Sequence, residues 1–375
     1  MTVGVLVPLS HNEASRDTGE RVPWFVLDGE GKHSLVTSSQ NTIFGNKHAV
    51  PQAGTEKEKD RMSTPHPFRF GVTLLGAASR QEWIAKVHQV EDLGYSVLQM
   101  PDHLGNQFSP TLALMAAAEA SRTLRLGTLV LDINYRHLAL LAKEVATLDL
   151  LSEGRFELGL GAGWIARESQ MTGIPFDPAG RRVGRLEEAI QVLKGLFSDG
   201  PMTFAGRYYA LNGFEVFPKP LQHPHPPLLV SGGGKRMLSI AARFADIITL
   251  NPPVAPDGNS IDMAEATSEA TTQQIAWIRE AAGDRFARLE IGNFVIGGVR
   301  TEREQRLDPK IAAAFRSRTT GEQQFPQGIY TLVGSVDQIC ERVLTNRERF
   351  GISYISVLEQ DLETFAPIVA QLSGK

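Results

Sequence analysis

The sequence of 375 residues predicts a closed (β/α)8 barrel, the TIM-barrel fold, with insertions at the carboxyl-terminal mouth of the barrel. Apolar, β-branched runs alternate with segments of helical period, a pattern typical of parallel strands covered by helices. Eight such alternations favour a closed barrel over an open, doubly wound sheet. Apolar residues at 42% and charged residues at 21% are ordinary for a globular protein with a full core.

Strands and helices are predicted at regular intervals along residues 67–375. The strands are expected at 70–75, 96–100, 125–131, 155–160, 228–231, 246–250, 289–297 and 354–358. The helices are expected at 80–93, 111–122, 138–151, 181–197, 236–244, 267–282, 335–350 and 362–372. Two segments interrupt this alternation: 201–227 predicts a β-hairpin with an extended connector, and 301–327 predicts a polar excursion above the barrel mouth.

Residues 1–66 differ in composition from the rest of the chain. They are rich in Ser, Asn, Gly and His and include a charged patch at 56–61. We therefore expect a disordered polar arm rather than a domain. Because a strand-like run follows Met62 closely, Met62 is interpreted as the biological start.

The charge and the cysteine content exclude several classes of partner and site. A net charge of −4 gives no bulk attraction to nucleic acid, and no apolar run reaches the length of a membrane span. The single cysteine, Cys340, allows neither an internal disulfide nor a zinc site with several thiolate ligands. We predict a cytoplasmic protein with no metal site.

Polar residues follow the second and third predicted strands, where parallel barrels place their working groups. After the second strand, His103 beside Asp102 could hydrogen-bond a cofactor or act as acid or base near neutral pH. The alternative is that the pair caps the following helix. After the third strand, Asp132 could hydrogen-bond the edge of a ring, although a rim pair between Asp132 and Arg136 is the favoured interpretation from these residues alone.

Glycines mark the end of the fourth strand. Gly159, Gly161 and Gly163 stand at alternate positions directly before Trp164. Glycines there let a flat ligand approach the backbone, and the alternative is that they only ease packing within the barrel. Their spacing does not match the dinucleotide fingerprint GxGxxG.

A second glycine-rich segment follows the fifth strand and predicts a phosphate site. Its backbone N–H groups open a helix and two cations follow, a combination that favours a bound anion. The segment comprises Ser231, Gly232, Gly233, Gly234, Lys235 and Arg236.

These segments, in this order, resemble the luciferase-like monooxygenase superfamily of flavin- and F420-dependent barrels. The stretch from Leu148 to Trp164 is similar to the most specific signature of that family, and the resemblance covers about 68–375. It implies that the cofactor phosphate lies on 232–236. It also implies that the ring crosses the mouth near four residues, namely Asp102, His103, Gly161 and Trp164.

The resemblance implies three finer features. The family often has a non-prolyl cis peptide late in the third strand, and the matching bond here is Leu129–Val130. Trp164 stands where F420-dependent sugar-phosphate dehydrogenases of the family have a catalytic Glu, which argues against sugar-phosphate oxidation by that route. Arg167 replaces part of a segment that contains Asn in many flavin-type members, and it is available for the anionic side chain of the cofactor.

The predicted function is an F420-dependent oxidoreductase that transfers a hydride between the deazaflavin and a small organic substrate. The candidate catalytic residues are His103, for proton delivery or ring hydrogen bonding, and Trp164, which is expected beside the ring. One alternative is an FMN-dependent monooxygenase supplied with reduced flavin by a partner reductase. A second alternative is a non-catalytic binder of flavin or deazaflavin, which the missing Glu at 164 favours. The family resemblance also implies a homodimer.

Overall fold

Eight parallel strands form a closed barrel in the computed structural model, which describes residues 66–255, 260–301 and 328–375, and the backbone alone at 26–27, 33–34 and 319–320. The strands are β1 Arg69–Thr73, β2 Val97–Met100, β3 Arg125–Thr128, β4 Phe156–Gly161, β5 Leu228–Gly232, β6 Ile247–Leu250, β7 Glu290–Phe294 and β8 Ile352–Leu358. Each strand pairs in parallel with the next, and β8 pairs with β1. The predicted (β/α)8 barrel is therefore confirmed.

Nine α-helices lie within the described ranges. They are α1 Arg80–Asp92, α2 Pro110–Ala120, α3 Leu138–Leu151, α4 Ala166–Thr172, α5 Ala179–Phe197, α6 Lys235–Phe244, α7 Ser268–Ala282, α8 Val336–Phe350 and α9 Leu362–Leu372. Eight of them match predicted helices to within two residues at each end. The short helix α4, which follows β4 directly, is not predicted from the sequence. None of the nine is long and apolar enough to cross a membrane.

The strands alternate between two environments, as the period of two requires. Phe70 and Val72 of β1, and Leu74 directly after it, are buried in the main core. On the other face of the sheet, Arg69 donates hydrogen bonds to Glu157 and Glu290 near the amino ends of the strands. This ion-pair network closes the barrel at the end opposite to the mouth.

The third strand is shorter than predicted. It ends at Thr128, the Leu129–Val130 peptide is cis as expected, and pairing with β4 resumes at Leu131 and Asp132. This irregular segment brings Asp132 level with Gly161 at the carboxyl end of β4. The predicted seventh strand is also too long at its end, since β7 finishes at Phe294.

The hairpin predicted within 201–227 is confirmed, because Met202–Ala205 pairs antiparallel with Ala210–Phe214. The excursion predicted at 301–327 lies outside the described residues, apart from a two-residue bridge that joins Thr319–Thr320 to Ile261–Asp262. The chain divides into two compact units, Met1–Asp60 and Arg61–Lys375. In the first unit, the backbone of Val26–Leu27 pairs with that of His33–Ser34. The rest of the predicted arm, and the proposed start at Met62, lie outside the described residues.

Candidate functional site

Asp102 is a buried carboxylate behind the mouth, directly after β2. It is 6% exposed and accepts a hydrogen bond at 3.0 Å from the backbone N–H of Asp132. The Arg136 guanidinium forms a bidentate pair with it, with Nη2 at 2.9 Å from Oδ1 and Nη1 in contact with Oδ2. The favoured expectation that Arg136 pairs with Asp132 is therefore wrong, because β2 and β3 are neighbours in the barrel and Asp102 reaches the guanidinium.

Asp132 makes its own contacts on the neighbouring segment. Its Oδ1 accepts hydrogen bonds from the backbone N–H and the side-chain Nδ2 of Asn134, at 2.8 and 2.5 Å. Burial raises the pKa of Asp132; the hydrogen bonds from Asn134 oppose this rise, and the adjacent charge of Asp102 adds to it. The carboxyl group of Asp132 is thus easier to protonate than an exposed aspartate.

His103 and Trp164 lie together at the mouth. Their rings meet edge to face, with centroids 6.1 Å apart and an interplanar angle of 83°. The Nδ1 atom of His103 lies 3.2 Å from Oε1 of Glu168, and the Tyr135 hydroxyl donates to Oε2 of Glu168 at 2.9 Å. The sequence interpretation missed both Glu168 and Tyr135 as members of this cluster.

The glycines of β4 serve close backbone packing. A Cβ atom on Gly159 would lie 1.8 Å from the Thr128 carbonyl oxygen, and one on Gly161 would lie 2.5 Å from Cγ2 of Val130. At Gly163, where φ is +74°, a Cβ would lie 2.2 Å from Oδ2 of Asp132. Side chains at these positions would displace the irregular end of β3, so the structure favours the packing interpretation. Val130 and Leu129 in turn pack against apolar residues inside the barrel.

In the glycine-rich turn after β5, the first two glycines are packed against neighbouring residues, whereas the third, Gly234, has free space around it. A Cβ on Gly232 would lie 2.3 Å from Cγ of Met237, and one on Gly233 would lie 2.3 Å from the Asn251 carbonyl oxygen. A Cβ on Gly234 would meet nothing within 4 Å. Gly234 is the N-cap of α6, where the first backbone N–H groups have no partner within the helix. The open face therefore presents amide donors and the positive end of a helix dipole.

Two cations, Lys235 and Arg236, follow Gly234 in the first turn of α6. Nη1 of Arg236 donates to the Gly180 carbonyl at 2.8 Å, and a Cβ on Gly184 would lie 3.2 Å from Nη2 of Arg236 and 3.1 Å from the Tyr208 oxygen. Arg236 and the hairpin residue Tyr208 thus approach the same point on α5. The Lys235 ammonium lies 3.6 Å from Glu280, so it is drawn toward α7.

The hairpin is held at this position by one carboxylate. Glu188 of α5 accepts hydrogen bonds from the backbone N–H groups of Arg207 and Tyr208, at 2.9 and 2.8 Å. The sequence predicted the hairpin but did not predict that its turn borders the phosphate-type site. Glu188 lies about 20 residues from its partners, and no local pattern indicates such a contact.

Two other predicted site residues have different surroundings. Ser231 is buried, its hydroxyl donates to the Thr249 carbonyl at 3.3 Å and it accepts a hydrogen bond from Asn251 at 2.7 Å. Arg167 lies in the first turn of α4, next to Glu168. Over the ranges that the structure describes, no group of three or more His, Cys, Asp and Glu side chains is arranged to hold a metal ion.

The carboxyl-terminal mouth, with its cluster of polar side chains, is where barrels of this architecture place their working groups. The model of the luciferase-like monooxygenase family matches residues 61–273, which is more than half of the chain. The chain therefore belongs to the luciferase-like monooxygenase family.

Relatives within this family use different cofactors. The chain is 30% identical over 237 residues to the FMNH2-dependent dimethylsulfone monooxygenase of Pseudomonas putida, a match that spans 55% of this chain and 61% of that protein. It is 32% identical over 166 residues to the F420-dependent glucose-6-phosphate dehydrogenase of Kineococcus radiotolerans, spanning 42% of this chain and 48% of that protein. The F420-dependent tetrahydromethanopterin reductase of Methanopyrus kandleri shares the fold, with a TM-score of 0.64, 17% identity and coverage of 82% of this chain and 98% of that chain.

Proposed function

We propose that this protein is an F420-dependent oxidoreductase acting on a small organic substrate at the barrel mouth. The observation that carries the proposal is the open turn at Gly234, with its free space and the cation of Arg236 beside it. A phosphate group accepts hydrogen bonds from backbone amides and from guanidinium groups, so the donors at this turn fit the phosphate of such a cofactor. When bound, the deazaflavin supplies or accepts the hydride.

The surroundings of the turn support F420 rather than FMN. FMN ends at its phosphate, whereas F420 continues into an acidic side chain. Arg207 is exposed in the hairpin turn beside Tyr208, and Arg181 follows Gly180, whose carbonyl accepts a hydrogen bond from Arg236. Because Arg181 is paired with Asp177 at 3.3 Å, Arg207 is the guanidinium group suited to a further carboxylate of the cofactor.

His103 is proposed as the residue that holds or delivers a proton at the reacting centre. Since its Nδ1 atom faces Glu168, its Nε2 atom is the ring nitrogen left for a ligand. Trp164 restricts the imidazole from one side through the edge contact. His103→Ala should lower turnover about 100-fold or more, the usual range for a lost acid or base, while the cofactor Kd changes less than about threefold. Equal turnover in the two proteins would remove His103 from the mechanism.

An FMN-dependent monooxygenase is the second candidate. The FMNH2-dependent relative from Pseudomonas putida supports it. This alternative needs a partner reductase, because reduced flavin must be supplied.

Cofactor titration separates the candidates. The full-length protein is titrated with F420 and with FMN while tryptophan fluorescence is recorded, and Trp164→Phe identifies the part of the quenching that comes from the mouth. Tighter binding of F420, followed by its oxidation or reduction in a panel of carbonyl, alkene and imine substrates, supports the proposal. Tighter binding of FMN moves the assignment to a monooxygenase. Tight binding of F420 with no turnover on any substrate moves it to a non-catalytic binder.

A further inference from the structure

A carboxylate that the proposed mechanism does not use lies against the imidazole of His103. Glu168 is on α4, and its side chain is 15% exposed compared with 25% for His103. Its Oε1 atom lies 3.2 Å from Nδ1 of His103, and its Oε2 atom accepts the Tyr135 hydroxyl at 2.9 Å. Both carboxylate oxygens of Glu168 therefore contact side chains at the mouth.

We infer that Glu168 is a positioning residue that holds the His103 ring in the Nδ1–H tautomer, with Tyr135 fixing the carboxylate in turn. The inference rests on the proposed role of His103. It follows from the chemistry of the donor and the acceptor: an ionised carboxylate only accepts hydrogen bonds, so Nδ1 must carry a proton in order to bind it. In the neutral ring Nε2 is then a bare acceptor, and in the protonated ring it is a donor.

The electrostatics of Glu168 agree with this role. Burial acts to raise the pKa of Glu168, yet hydrogen bonds from His103, Tyr135 and the Leu104 backbone, together with the charge of the protonated His103 ring, outweigh it and hold the pKa below its ordinary range. Glu168 therefore remains ionised over the pH range in which imidazoles titrate. A neutral carboxylic acid could donate to the ring and would not select one tautomer.

The arrangement also restricts the orientation of the ring. Trp164 contacts the imidazole through its edge, while Glu168 binds one of its nitrogens. The opposite nitrogen is consequently directed along one line, which is the property that a proton donor needs. In a Ser-His-Asp triad the carboxylate has the same task, to fix the tautomer and orientation of the histidine.

The test uses the cofactor-free, full-length protein labelled with 15N-histidine. The His103 signals, assigned with His103→Gln, should show protonated Nδ1 and bare Nε2 in the neutral ring. Glu168→Ala should shift this ratio toward the Nε2–H tautomer, and Glu168→Gln, which keeps a carbonyl acceptor, should retain part of the preference. Glu119→Gln, on the exposed face of α2, is the matched control and should change nothing. An unchanged tautomer ratio in Glu168→Ala would overturn the inference.

A second measurement does not depend on Glu168→Ala being folded. Tyr135→Phe and His103→Ala each remove one hydrogen bond that lowers the pKa of Glu168, so each should raise that pKa in a 13C-carboxyl NMR titration. If the pKa of Glu168 rises in neither variant, the proposed coupling between Glu168, His103 and Tyr135 is contradicted. With cofactor and substrate, Glu168→Ala should lower kcat at least about tenfold with little change in cofactor Kd. If the NMR coupling is present while His103→Ala retains full turnover, the proposed role of His103 fails and the Glu168–His103 contact stands.

Discussion

Replacing Arg236 by Ala should weaken the binding of phosphate-bearing cofactors and leave phosphate-free ring compounds unaffected. One N–H group of Arg236 is already bound to the Gly180 carbonyl, so its remaining donors are those available to a ligand. A hydrogen bond to a charged group contributes about 1.5–3 kcal/mol when it is shielded from water. Because Arg236 is exposed, we expect a smaller loss of about 1–2 kcal/mol, or roughly a 5- to 30-fold increase in Kd.

The assay compares matched ligands in matched variants. Dissociation constants are measured for F420 and its phosphate-free deazaflavin core, and for FMN and riboflavin. The control is Arg243→Ala in the last turn of the same helix, where the guanidinium is bound to Glu187 at 2.8 Å. We expect Arg236→Ala to affect only the phosphate-bearing member of each pair, and Arg243→Ala to affect neither. An equal loss for ligands with and without phosphate would refute the placement of the phosphate at this turn.

Three further predictions concern stability. Glu157→Gln should cost about 3 kcal/mol in urea unfolding, since it removes the buried carboxylate that two arginines share, and an unchanged midpoint would contradict this. Gly233→Ala should cost about 1–3 kcal/mol, because its Cβ would press on the Asn251 carbonyl. Gly234→Ala should cost less, about 0.5–1 kcal/mol, because its Cβ is unobstructed and only the N-cap preference for Gly over Ala is lost, and it should also weaken phosphate binding; equal thermal shifts would contradict this geometry of the turn. The pKa of Asp132 is raised in the fold, so its stabilising contribution is present below about pH 4 and is lost as pH rises through that raised value; Asp132→Asn should therefore raise the melting temperature at pH 7 and not at pH 3.

The periodic parts of the fold could be predicted from the sequence, because hydrophobic period and turn residues are local signals. The eight strands, eight helices and the hairpin within 201–227 lie where the sequence predicts them, although β7 ends three residues earlier than predicted. The end of β3 was not predicted correctly, since the pattern of apolar residues runs through Leu131 while the cis peptide at Leu129–Val130 interrupts the pairing. Helix α4 was missed because its seven residues are too few for a periodic pattern.

Part of the candidate site could be predicted from the sequence, because it lies at the ends of predicted strands. His103, Trp164 and the turn at Gly234 stand at strand ends, which the barrel topology identifies. Glu168 and Tyr135 come from a short helix and a loop, and their contacts depend on the packing of β3 against β4. The signal available for Glu168 is its position four residues after Trp164, in the segment that follows β4.

A crystal structure of the protein soaked with F420 would locate both the phosphate and the ring. We expect density for the phosphate on the amides at Gly234, within hydrogen-bonding distance of Arg236, and density for the deazaflavin ring beside His103 and Trp164. A turn that stays empty at saturating F420, with a side chain of the protein filling the mouth, would contradict this expectation.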